Sequence, residues 1–118
     1  MARRVKRDGI EARARQVVLQ VAGALGLTSM GILQAATRKE ATARRIAFYV
    51  LHSACGLTLG QTALAFGVDR STVAGACKAI EDRRDDPDFD SWMAALERSA
   101  AAAPVPAEPE ALAITGGK

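Results

Sequence analysis

The residues best suited to recognise nucleic acid follow a glycine near the middle of the chain. They are basic, hydroxyl and small residues that a helix would bring to its outward side: Arg70, Ser71, Thr72, Gly75 and Lys78. An arginine can donate two hydrogen bonds to guanine, and a hydroxyl can bond a base edge or a phosphate. Glycine lets a helix approach a groove closely, and Asp69 can cap such a helix. The pattern predicts a helix whose first turns enter the major groove of duplex DNA.

Two short helices joined by a tight turn would position that surface. Thr58 can cap the first helix, Ala63 is small where the helices would cross, and Gly67 permits a left-handed turn. Phe66 and Val68 can fill the angle between the helices. The apolar residues of the second helix recur at helical spacing and are expected to point inward: Val73, Ala76, Cys77 and Ile80. These features predict a helix-turn-helix, in which the second helix projects a polar face.

Charge is distributed unevenly along the 118 residues. Residues 1–50 carry ten Lys and Arg against three acids, a net charge of +7, whereas residues 51–118 carry six against ten, a net charge of −4. A basic half favours contact with a polyanion, although an unevenly solvated surface would give the same counts. Two helices joined at a glycine also occur in all-helical proteins that bind no DNA. The uneven charge distribution and the glycine turn therefore support DNA binding only in combination with the residues that follow Gly67.

Apolar periodicity predicts one all-α domain. It is expected at residues 10–98, between a flexible basic arm at 1–9 and a disordered Ala/Pro-rich tail at 99–118. Besides the two motif helices, the predicted helices are Ile10 to near Gly26, a short helix capped by Thr28 or Ser29, a long helix from Ala43 to Gly56, and a last helix after Asp86-Pro87-Asp88 that ends near Arg98. The polar residues 37–42 are expected to form a basic loop before the long helix.

Other chemistries lack the residues they need. Cys55 and Cys77 have no C-x-x-C spacing and His52 is the only histidine, so neither a metal site nor a disulfide framework is expected. The acids at 85–90 lack the central glycine and terminal glutamate of an EF-hand. No G-x-x-x-x-G-K-[ST] phosphate loop, membrane span or signal peptide is found. We therefore expect a cytoplasmic, nucleoid-associated protein that is not an enzyme and has no cofactor, membrane partner or small-molecule substrate.

The second motif helix resembles a known family, the C-terminal DNA-binding domain of the bacterial chromosomal replication initiator DnaA. That family's signature is Asp-His-[Ser/Thr]-Thr-Val-x-x-Ala-Cys-x-x-Ile, and residues 69–80 read Asp-Arg-Ser-Thr-Val-Ala-Gly-Ala-Cys-Lys-Ala-Ile. Every specified position agrees except the histidine, where Arg70 stands. The similarity extends from about Ile10 to Arg98 and implies a Trp-repressor-like helical fold.

The resemblance also implies roles for individual residues. Asp69, Ser71 and Thr72 would contact the major groove of a nine-base-pair site. A basic residue before the long helix would enter the adjacent minor groove, either Arg38 or Lys39. The remaining residues implied to hold phosphates are Arg44 and Arg45 by their side chains, and Leu59 and Gly60 by their backbone amides.

Two hypotheses about function follow. Arg70 replaces the family's histidine, and the turn before Asp69 is one residue shorter than the usual Phe-Gly-Gly-Arg-Asp, so the base preference is open. Since no ATPase motif is present, the first hypothesis is a stand-alone protein that binds double-stranded DNA at initiator-box-like sites and regulates replication initiation or transcription. The second is an adaptor that imitates the initiator's DNA-binding domain and contacts the initiator or its regulatory proteins.

Overall fold

The computed structural model describes residues 7–104, which form six α-helices and, within that range, no strand. The helices are α1 (Arg7–Leu25), α2 (Ser29–Gln34), α3 (Arg38–Ser53), α4 (Leu59–Phe66), α5 (Arg70–Arg83) and α6 (Pro87–Ala102). This confirms the predicted all-α fold. Most of the predicted basic arm and most of the predicted tail lie outside the described residues. No described helix combines the length and the apolarity that crossing a membrane requires.

The main core lies where α1 and α3 pack against each other. Val17 and Val21 of α1 and Val50 of α3 are completely buried there, together with Ile32 of α2. These residues recur at helical spacing, which explains why the periodicity of the sequence located both helices. Each fully buried aliphatic side chain contributes about 1.5–3 kcal/mol to folding, so this layer fixes how α3 is oriented.

The first turn of α3 corrects one expectation. Residues 38–42 are helical, so the predicted basic loop is instead the start of the helix. Thr37 accepts a hydrogen bond from the amide of Glu40, and Glu40 accepts one from the amide of Thr37, both at 3.1 Å. This reciprocal capping box satisfies amides that would otherwise be unpaired at the helix start. Arg38 and Lys39 are consequently held on a helix.

The first and the last helix of the chain are both longer than the sequence predicts. The helix α1 begins at Arg7 rather than Ile10, and α6 continues to Ala102 instead of ending near Arg98. Residues 99–102 therefore belong to the domain and not to the tail. The physical reason is that alanine has the highest helix propensity and that Ala100 is fully buried against the main core. At the other end of α6, Asp86 caps the helix and Pro87 occupies its first position, as the stop signal there predicts.

One arginine joins three of the helices. Arg84, just after α5, donates hydrogen bonds to Asp90 at 2.6 Å and Glu97 at 2.8 Å on α6, and to the Tyr49 hydroxyl of α3 at 3.2 Å. The bonds to Asp90 and then to Glu97 raise the pKa of Arg84 above its usual range. Tyr49 donates in turn to Glu81. Burial, followed by that bond to Glu81, raises the pKa of Tyr49. The network fixes the end of α5 relative to α3 and α6.

Candidate nucleic-acid interface

The turn between α4 and α5 lies where the sequence predicts it. Thr58 and Gln61 form a second capping box, with bonds of 2.9 and 3.0 Å, which starts α4. Gly67 ends α4 with φ +66°, a left-handed conformation that favours glycine. Its neighbour Val68 donates to the carbonyl of Ala63 at 3.1 Å. Local sequence signals therefore fix both ends of the turn.

A separate apolar cluster lies beneath this joint. Phe48 of α3 is buried with Ala63 of α4 and with Val73 and Ala76 of α5. The Phe48 and Phe66 rings meet edge to face, with centroids 4.8 Å apart. As predicted, the apolar side of α5 points inward. The opposite side of α5 must therefore face outward.

The outward surface of α5 consists of the residues that sequence analysis singled out. They are all exposed: Asp69, Arg70, Ser71, Thr72, Gly75 and Lys78. Asp69 occupies the N-cap position, but its side chain makes no capping hydrogen bond, so the predicted capping role of that side chain is wrong. Lys78 pairs with Asp82 at 3.9 Å across the helix surface. Such an exposed pair contributes little and leaves Lys78 accessible to another anion.

Basic residues of α3 lie on two sides of this surface. The guanidinium of Arg44 lies 5.8 Å from the ring centroid of Phe48, which places it beside the α4–α5 joint, and Arg45 is exposed. Lys39 instead lines a cleft that also contains Arg83, the last residue of α5. Because a helix of 14 residues is about 21 Å long, the structure does not bring Lys39 together with Arg70.

Arg38 and Lys39 occupy the first two positions of α3, where the helix dipole is positive. Cations are unfavourable there for the helix itself, which favours a role in contacting an external anion.

The start of α4 offers backbone groups rather than side chains. Gly60 is exposed, whereas Leu59 packs partly into the cluster beneath the joint. The first amide of α4 that bonds within the helix is that of Thr62, which donates to Thr58 at 3.0 Å. The amides of Leu59 and Gly60 precede it, as the phosphate-binding expectation requires.

The remaining candidate residues have structural surroundings. Both cysteines are unpaired and half-buried, and burial raises the pKa of the Cys55 and Cys77 thiols. The Nδ1 atom of His52 lies 2.8 Å from the carbonyl oxygen of Leu57, which fixes that ring on the surface. Trp92 is half-buried beside Phe89, with ring centroids 6.1 Å apart. Sequence reasoning did not identify Arg84 as a residue that organises the end of α5.

A comparison with solved structures identifies one that supports this arrangement. The crystal structure of a DNA replication initiation factor matches with a TM-score of 0.71 and 26% sequence identity. The chain has the fold of part of that factor. The match covers 79% of this chain but only 29% of the initiation factor, so the chain spans less than a third of its length. No family model and no curated protein sequence matches.

Proposed function

We propose that this protein binds duplex DNA sequence-specifically through the outward surface of α5 and regulates replication initiation or transcription. The observation that carries this proposal is the division of residues 69–80 between two sides. Val73, Ala76 and Ile80 of the DnaA-type signature are buried, while its polar residues are exposed. The similarity to a replication initiation factor supports the same role.

In the proposed complex, Ser71 and Thr72 bond base edges or phosphates in the major groove. Arg70 extends from the first position of α5 and can contact a guanine with two hydrogen bonds. Arg44 and Arg45 bind phosphates, and Arg38 or Lys39 enters the adjacent minor groove. Binding requires no ATPase activity, metal or cofactor from this chain. The protein acts in the cytoplasm, on the nucleoid.

The proposal is tested by fluorescence anisotropy with labelled duplexes, one carrying an initiator-type nine-base-pair site and one a scrambled sequence. Preferred sequences selected from a random duplex library serve as a third probe, because Arg70 leaves the base preference open. We expect Arg70→Ala and Thr72→Ala each to weaken binding to the preferred duplex by about 5-fold to 150-fold. Arg45→Gln should weaken all duplexes alike and reduce the salt slope by about one.

Arg98→Ala is the matched control, since Arg98 is exposed on α6 and lies outside the proposed interface. Its affinity for the preferred duplex should stay close to that of the wild type. Equal affinity for selected and scrambled duplexes would contradict sequence-specific binding. An absence of DNA binding combined with a stable complex with a replication initiator would favour the adaptor hypothesis instead.

Gly75 provides a test that separates stability from binding. A Cβ atom built there meets no atom within 4 Å, so the fold itself does not require glycine. Gly75→Ala should raise the free energy of unfolding by about 0.5–1 kcal/mol, because alanine favours a helix more than glycine does. Urea denaturation followed by circular dichroism measures this gain.

A larger side chain at position 75 should instead block close approach to the groove. Gly75→Gln is expected to remain folded and to weaken binding to the preferred duplex at least tenfold, a loss of about 1.4 kcal/mol. Gly23→Gln is the control for added bulk, because Gly23 is exposed on α1 outside the proposed interface and a Cβ atom built there also meets no atom within 4 Å. Wild-type affinity of Gly75→Gln would show that this part of α5 does not lie against DNA.

A further inference from the structure

The cleft that contains Lys39 and Arg83 is apolar inside. It has a volume of about 360 Å³ and lies between the end of α1, the first half of α3, the last residue of α5 and the start of α6. Its apolar surface comes from four side chains: Leu25, Ile46, Phe89 and Trp92. Ile46 is 2% exposed, whereas the other three residues are half-buried. A pocket of this size and lining can accept an apolar side chain of another molecule.

Two cations and no acid line this Lys39–Arg83 cleft. Lys39 comes from the first turn of α3 and Arg83 from the last turn of α5, and both residues are exposed. Within the described part of the chain, neither forms an ion pair with a carboxylate. Asp85 and Asp86 follow Arg83 on the adjacent turn, so a carboxylate of an occupant should bind Lys39 more strongly than Arg83. The cleft therefore suits an occupant that combines an apolar group with negative charge.

The aromatic wall of the cleft favours a protein segment over a nucleic acid. The ring centroids of Phe89 and Trp92 are 6.1 Å apart, and the guanidinium of Arg83 lies 4.2 Å from the ring centroid of Phe89. Arg83 thus covers one face of Phe89 on which a nucleotide base would otherwise stack. Tryptophan and arginine are also the residue types that contribute most often to the affinity of protein–protein interfaces.

The described residues of a second copy of this chain do not supply a fitting segment. Their large exposed apolar side chains are Leu19, Met30, Leu33 and Leu64. None of these four has an acid within four positions of it in the sequence. The acidic and apolar groups that fit the Lys39–Arg83 cleft are therefore better supplied by a different protein.

We propose that the Lys39–Arg83 cleft is a docking site for an acidic segment of a partner protein, which inserts a Phe or Leu side chain flanked by carboxylates. The inserted side chain lies against Ile46 and Trp92. One carboxylate pairs with Lys39, and a second pairs more weakly with Arg83. This docking goes beyond the proposed DNA binding and does not depend on it.

The fluorescence of Trp92 tests the docking without DNA, because Trp92 is the only tryptophan and lines the cleft. The probes are three synthetic peptides capped at both ends: Glu-Asp-Phe-Leu-Glu, its amide counterpart Gln-Asn-Phe-Leu-Gln, and Glu-Asp-Ala-Ala-Glu. We expect only the first to shift the Trp92 emission to shorter wavelength, with a Kd of about 100 μM. An emission that no peptide moves at about 1 mM would overturn the proposal. Equal binding of the acidic peptide and its amide counterpart would overturn it as well.

Charge variants of the full chain locate the bound peptide. Lys39→Gln should weaken binding of the acidic peptide about fivefold, and Arg83→Gln about twofold. Arg98→Gln is the charge-matched control, because Arg98 is exposed on α6 and does not line the cleft. It should bind the peptide as the wild type does, and circular dichroism checks that each variant is folded. Equal weakening in all three variants would reveal only a general attraction of charges and overturn the site.

Two further measurements address other occupants of the cleft. A shift of the Trp92 emission by oligothymidine, without a shift by the acidic peptide, would overturn the proposal in favour of single-stranded nucleic acid. In the absence of any probe, we expect the emission to stay constant when the protein is diluted from about 200 μM to 2 μM. An emission that moves on dilution would overturn the proposal in favour of a segment of a second copy.

Discussion

Replacing Phe48 by alanine is expected to lower the free energy of unfolding by about 3–5 kcal/mol, which is a large share of the stability of a domain this size. Phe48 is 1% exposed and lies beneath the α4–α5 joint, with its ring against Phe66. Its removal leaves a cavity that α4 and α5 cannot fill while Gly67 fixes the turn between them. In thermal denaturation the midpoint should fall by roughly 15–30 °C.

Two matched variants test whether the loss of stability in Phe48→Ala arises from lost packing. Phe48→Leu retains most of the buried volume and should lose only about 1–1.5 kcal/mol. Leu64→Ala shortens a side chain of α4 that is 49% exposed, and it should change stability by less than about 0.5 kcal/mol. A midpoint of Phe48→Ala within a few degrees of the wild type would show that the cluster beneath the joint is not what holds it.

Arg84→Met is expected to lower the free energy of unfolding by about 2–3 kcal/mol. Removing one partner of a fully buried ion pair costs about 3–5 kcal/mol, because the other charge remains desolvated. The expected loss of stability is smaller here because the side chain of Asp90 is 50% exposed, although that of Glu97 is only 20% exposed. In the variant, Glu97 still accepts the 2.6 Å hydrogen bond that the hydroxyl of Ser53 donates. Urea denaturation at neutral pH measures the loss.

The adjacent arginine is the control for Arg84. Arg83 is exposed, with its guanidinium 4.2 Å from the ring centroid of Phe89, so Arg83→Met should cost no more than about 1 kcal/mol. Combining Arg84→Met with Glu97→Leu should recover part of the stability, because the carboxylate that lost its cation is then absent. A double variant as unstable as the sum of the two single variants would refute this pairwise account.

The helices that the sequence located well are those with local signals. Thr58 and Gly67 mark the ends of α4 by capping and turn chemistry, which operate between residues a few positions apart. Thr37 and Glu40 also form a capping box, but the polar residues 37–42 interrupt the apolar periodicity and favoured a loop. The Thr-x-x-Glu spacing was the signal that could have placed the start of α3 correctly.

Features that depend on distant residues could not be predicted in the same way. Arg84 donates hydrogen bonds to Tyr49, 35 residues earlier in the chain, and to Glu97, 13 residues later. Nothing in the local sequence specifies these pairs. The alanine run around Ala100 is typical of a low-complexity tail, yet Ala100 is buried because α6 packs on the core. Lys39 likewise lines a cleft with Arg83 only once the helices are assembled.

Because Lys39 lies near one end of α5 and Arg70 near the other, a chain bound as proposed would point in one direction along the duplex. Such a protein reads a sequence with polarity and needs no palindrome. Directly repeated sites would align successive chains head to tail, whereas inverted sites would turn equivalent surfaces towards each other. The arrangement of sites, and not only their number, would then decide which surfaces of neighbouring chains meet.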